Sequence, residues 1–129
     1  MRRPASEAVS RALRWVRRNP SDWETLFGMC RSLKDAGVPV TRGSVFTLAM
    51  QRGMDVSEAS AFRRDHNLWS VLARYMAMLD PSMLSAIRFR ASEVDKVDLA
   101  AAWREQVGPA DFAAGSLAEA RLAWEGAVA

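Results

Sequence analysis

The chain carries one cysteine, Cys30, and one histidine, His66, in 129 residues. A single thiol closes no internal disulfide, and no Cys/His spacing suited to zinc occurs. A lone histidine with no second histidine, cysteine or paired carboxylate is poor material for catalysis or for a metal. Glycine-rich phosphate loops and nucleophile elbows are missing too. Glu93, Asp95 and Asp98 lie close together, but they lack the spacing and the glycine turn of a calcium loop. The most apolar run, Leu68–Leu79, is interrupted by Arg74 and is too short to span a bilayer. Met1-Arg2-Arg3 is basic, but no apolar segment follows it, so no secretory signal is expected. Together these absences predict no enzyme activity, no cofactor, no metal and no membrane partner, with the cytoplasm as the expected compartment.

Lysine is scarce as well. Apart from Lys34 and Lys96, the 18 basic residues are arginine. Arginine favours planar, bidentate contact with phosphate or carboxylate. The charge is uneven. Residues 1–66 hold twelve basic and seven acidic residues, a surplus of five, whereas residues 67–129 hold six and eight, a deficit of two. A basic N-terminal half predicts an anionic partner, nucleic acid in the first instance. The plainer alternative is a solvated cationic face.

What is abundant is apolar. Half of the residues are hydrophobic, with five Trp and seven Met to fill a core, and the length suits one domain. Leu68–Leu79, in which only Ser70 and Arg74 are strongly polar, predicts a helix surrounded by protein on nearly every side. The expected fold is therefore all-α: a compact bundle of six or seven helices around a central apolar helix, 58–79. Residues 1–5 are expected to form a flexible basic arm and 6–129 a single helical domain. Within it 6–80 make the main bundle and 81–129 the C-terminal helices.

Local signals divide the chain. Ser6 caps an amphipathic helix, Glu7–Arg18, with Val9, Ala12, Leu13 and Val16 on the inner face and Arg11, Arg14 and Arg18 on the outer one. Such a stripe suits a phosphate backbone. Ser21 and Glu24 match a capping box for a helix over about Asp22–Ala36, ended by Gly37. Its apolar stripe includes Cys30, which reads as a small buried hydrophobe and not a nucleophile. Val38-Pro39-Val40 interrupts, and Thr41 caps Arg42–Arg52, closed by Gly53.

Helix, glycine-containing turn, helix over 22–52 resembles the helix-turn-helix DNA-binding domains. The resemblance implies a supporting helix at Trp23–Ala36 and a reading helix at Arg42–Arg52. It assigns Arg42, Ser44, Thr47, Gln51 and Arg52 to nucleic-acid contact: Gln51 to an adenine edge, Thr47 to a base methyl or phosphate, Arg42 to phosphate or guanine. The Val-Pro-Val-Thr insert brings Val45 about two residues later than in the usual pattern.

Ser57 caps the long helix Glu58–Leu79, on the order of 30 Å by standard rise, which Asp65-His66-Asn67 weakens. If it is continuous, Arg63, Asn67, Ser70 and Arg74 share a polar stripe. Arg63 and Arg64 join the candidate nucleic-acid residues, and His66 is expected to stack beside Phe62 and Trp69. Asp80-Pro81 starts a short helix. Arg88-Phe89-Arg90 interleaves basic and aromatic residues as single-strand binders do, and 87–91 also alternates like a strand. A helix is expected from Ser92 to Val107, and a last one after the Ser116/Glu119 capping box.

The expected function is a small nucleic-acid-binding protein of duplex DNA, a regulator or mobile-element accessory factor. The alternative is a non-enzymatic protein-protein interaction module or inhibitor that uses its Arg and Trp residues as a partner surface. Trp103 and Trp124 are candidates for a homodimer contact.

Overall fold

A computed structural model describes residues 5–53 and 66–128. Among these, six α-helices follow in order: α1 (Ala5–Arg18), α2 (Pro20–Asp35), α3 (Arg42–Gln51), α4 (His66–Leu79), α5 (Leu99–Gln106) and α6 (Leu117–Val128). Two 3₁₀ helices, Pro81–Ser85 and Glu93–Lys96, lie between α4 and α5. No strand occurs among the described residues, so 87–91 is irregular backbone. The expectations for Ser57, Glu58, Phe62, Arg63, Arg64 and Asp65, and for the stacking of His66, fall outside the described residues.

α4 is the centre. From Leu68 to Met78 every residue except Ser70 is buried. α1 and α6 pack on it, and the Pro81–Ser85 helix folds back under both α4 and α6. α1 also packs on α5, and α2 packs on α1 and α3. Burial of each large aliphatic side chain contributes about 1.5–3 kcal/mol. An aromatic chain then ties the elements laterally. Trp23 of α2 lies 5.8 Å from Trp103 of α5, which lies 4.9 Å from Tyr75 of α4 and 6.0 Å from Phe112. The Tyr75 hydroxyl donates to the Leu99 carbonyl at 2.7 Å. Three of the five Trp are thus core residues: Trp23, Trp69 and Trp103 are buried, and Trp15 and Trp124 are half-buried.

Ser6 lies inside α1 and does not cap it, and three further local expectations need correction. α2 starts at Pro20, with Asn19 as its cap residue, and the Ser21/Glu24 capping box does not start it. Asn19 serves two helices. Its N–H and its side-chain Nδ2 both donate to the Trp15 carbonyl (2.9 and 3.0 Å), closing α1, while its carbonyl accepts from Trp23 N–H to open α2. One residue separates the helices, and Pro20 fits at N1 because it has no N–H to satisfy.

The helix expected from Ser92 to Val107 is two pieces. Ser92 caps only the Glu93–Lys96 turn, through a capping box with Asp95. Val97 is extended (φ −85°, ψ 140°), and Asp98 then caps α5 by accepting from Ala101 N–H at 3.1 Å.

The third correction concerns Arg74. It shares a face with Ser70, but that face is turned to protein and not to solvent: the Arg74 side chain is 2% exposed. All five of its N–H donors are engaged. Nε and Nη2 grip Asp95 (2.7 and 3.3 Å), Nη2 also donates to the Arg90 carbonyl (3.0 Å), and Nη1 donates to the Ser70 carbonyl (3.0 Å) and to Ser70 Oγ. The guanidinium also lies 5.1 Å from the Phe89 ring centroid. A fork of this geometry meets a carboxylate bidentately, which makes the burial of its charge tolerable. Arg74 thereby clamps the 89–95 segment onto α4.

Candidate nucleic-acid interface

α1 buries Ala8, Val9, Ala12, Leu13 and Val16, as its apolar spacing requires. Arg14 and Arg18 are exposed on the far side, joined by Arg17, which sequence reading did not single out. Arg11 is half-buried, with Nε and Nη1 shielded from solvent. Arg14, Arg17 and Arg18 form no ion pair with another described residue, so three arginines at the end of α1 present their charge to solvent.

α2 ends in a Schellman arrangement. Gly37 takes φ +74°, its N–H bonds the Lys34 carbonyl (3.0 Å), and Val38 N–H bonds the Leu33 carbonyl (2.9 Å). The Val38–Thr41 insert then leaves the α2–α3 pair. Val40 is buried, and its N–H donates to the Ala86 carbonyl at 2.9 Å. Pro39 exposes no N–H that needs a partner. The extra residues that delay Val45 thus dock the turn on the segment after α4.

Thr41 starts α3 with a complete capping box. Thr41 Oγ1 accepts from Ser44 N–H (3.0 Å), and Ser44 Oγ accepts from Thr41 N–H (2.9 Å). The Ser44 hydroxyl is therefore committed to the cap. Val45 and Ala49 are buried, whereas Thr47, Gln51 and Arg52 are exposed, with Met50 beside them at 56% exposure. α3 buries one narrow edge and shows a broad, mostly polar face.

Arg42 is half-buried and lines a groove of about 700 Å³. Its walls are the end of α2 (Lys34), the turn from Gly37 to Thr41, Trp69 of α4 and residues 84–88. The structure thus brings Arg42 together with Lys34 and Arg88, two cations that the sequence left apart. Arg63 and Arg64 lie outside the described residues.

Titration behaviour sets the core apart from this surface. Burial pushes the Cys30 thiol up to about 12, which leaves it protonated and inert. Burial, and then the Asp98 charge, raise the Tyr75 phenol above its ordinary value. Partial burial works to raise the Asp95 carboxyl. The hydrogen bond and charge of Arg74, with the Ser92 N–H and the Arg121 charge, outweigh it and hold that carboxyl below the ordinary range. Among the described residues, no group of three His, Cys, Asp or Glu side chains is placed to hold a metal ion, and no helix is long and apolar enough to cross a membrane.

Comparison with family models, with curated proteins and with solved structures finds no match to this chain.

Proposed function

We propose that the chain binds nucleic acid, duplex DNA in the first instance, with α3 against the bases and the α1 arginines on the phosphates. One observation carries this reading. α3 is anchored by Val45 and Ala49, capped by Thr41, and leaves Thr47 and Gln51 exposed on one short helix, with Arg52 exposed at its C-cap. A rigid helix with an amide, a hydroxyl and a guanidinium on its free side has the donors and acceptors that major-groove edges require. Arg14, Arg17 and Arg18 supply sequence-independent charge. The turn is longer than a tight helix-turn-helix turn, so in this reading α3 enters the groove on a support made by α2 and by residues 84–87 together. In an inhibitor or interaction module the Trp residues would form the partner surface, but three of the five are in the core.

The test selects preferred sequences from a random duplex pool and compares wild type with Gln51→Ala and with the triple variant Arg14→Ala/Arg17→Ala/Arg18→Ala. Gln51→Ala is expected to flatten the preference at one base pair, a change of about 1–3 kcal/mol in discrimination. The triple variant is expected to weaken all sequences alike. An unchanged preference in Gln51→Ala would remove α3 from the contact.

A further inference from the structure

The groove that contains Arg42 has more in it than one residue of a reading helix. Three cations line it, Lys34, Arg42 and Arg88, with no carboxylate among the described lining residues. Its apolar part is formed by Val40, Trp69 and Ile87, all buried, with Pro39 and Val38 at the lip. The walls are pinned. Val40 N–H bonds the Ala86 carbonyl, and Lys34 Nζ donates to Ser82 Oγ at 2.8 Å. Residues 89 and 90 are held by their carbonyls: Arg90 accepts from Arg74, and Phe89 accepts from Arg121 at 3.4 Å. The Arg88 side chain, between buried Ile87 and the held residues 89 and 90, is exposed and makes no ion pair with another described residue. Lys34 is shared with Asp80 at 3.8 Å and Asp35 at 3.4 Å, neither of which lines the groove.

We infer that this groove takes an unpaired nucleotide of a nucleic-acid strand, with its phosphate at Arg88 and Arg42 and its base against the apolar wall. An apolar bed with a cationic rim complements a nucleotide, which joins a flat, weakly polar base to an anion. The volume falls in the range of sites that enclose a small ligand. Of the basic-aromatic-basic run 88–90, Arg88 alone lines this groove, while Phe89 lies against the Arg74 guanidinium. The inference rests on the nucleic-acid reading above and adds the kind of strand: the chain favours a duplex that carries a single-stranded stretch over a blunt one.

The experiment measures binding of a labelled blunt duplex and of the same duplex with a single-stranded overhang, by fluorescence anisotropy. The chains are wild type, Arg88→Glu and Arg104→Glu. Both substitutions alter exposed residues and change the net charge equally, and Arg104 is outside the groove. Wild type is expected to bind the overhang duplex at least about tenfold more tightly than the blunt one. Arg88→Glu is expected to remove that advantage and leave blunt-duplex affinity within about twofold, with Arg104→Glu keeping the advantage. Equal affinity of wild type for the two duplexes overturns the groove assignment and leaves duplex binding standing. Equal loss in the two variants also overturns it, because net charge alone would then explain the effect. No binding of either duplex at low salt overturns both readings. Capture of a labelled poly-glutamate peptide by wild type but not by Arg88→Glu would then assign the groove to an acidic protein partner.

Discussion

Asp95→Asn is the substitution that most severely tests how the fold is held. It keeps the shape of the side chain and removes the charge that faces Arg74. Arg74 is 2% exposed, so its guanidinium would lose its counter-ion while still buried. Breaking a buried pair in this way costs about 3–5 kcal/mol. The Asp95 side chain is 31% exposed, so water replaces part of what the carboxylate supplied, and a loss of about 2–3 kcal/mol is expected. For a chain of this length that lowers Tm by on the order of 10 °C. Urea unfolding at neutral pH measures the loss. The pH dependence supplies an independent check. The folded carboxyl sits below its ordinary range, so its contribution is complete above the unfolded value of about 4. It is lost as pH falls through the folded value, and the gap between wild type and Asp95→Asn must close there. Lys96→Gln, which breaks the exposed pair with Glu93, is the control and should change stability by no more than about 0.5 kcal/mol. A loss for Asp95→Asn as small as the control's, or a gap that ignores pH, would refute the clamp.

Three further outcomes follow from the same packing. Tyr75 is the only tyrosine, so phenolate absorbance reports it alone. Its raised folded value means that stability is complete below about pH 10 and falls as pH rises above it, so ionisation should appear only together with unfolding; a free titration near pH 10 would contradict its burial. Cys30 should resist a thiol reagent at pH 8 in the native state and react at the rate of global unfolding; prompt labelling would mean that α2 opens locally. Gly37→Ala should cost about 1 kcal/mol in urea unfolding, since φ is +74° and an added Cβ meets nothing within 4 Å; an unchanged midpoint would show that the turn relaxes.

Much of the fold was legible because helix ends are written locally. Thr41, Gly37, Gly53 and Asp80-Pro81 mark ends by chemistry confined to a few residues, and each sits where its type predicts. The stripe of α1 and the apolar length of α4 were equally readable. The misreadings share a cause: a side chain satisfied far along the chain. Arg74 is an unexplained charge in an apolar run until Asp95, 21 positions later, neutralises it. Asp95 caps with Ser92 as its spacing predicts, but the turn it starts stops at extended Val97. Trp103, inward by helical spacing and also a candidate for a homodimer contact, is enclosed by Trp23 and Tyr75. At Asn19 two local solutions competed, and the proline at N1 favoured the earlier start. For the candidate interface, the exposed side of α3 was visible from spacing, whereas the groove was not. Arg88 and Arg42 become neighbours only because Val40 bonds Ala86 across 46 residues of chain.

The central claim is that the basic half of the chain meets phosphates. Titration of a labelled random duplex at about 50 and about 200 mM salt tests it most directly. The account predicts affinity near 10⁻⁶ M at the lower salt, on the order of the usual non-specific range, and a steep fall at the higher one. A failure to bind at the lower salt, or an affinity that does not change with salt, would contradict it.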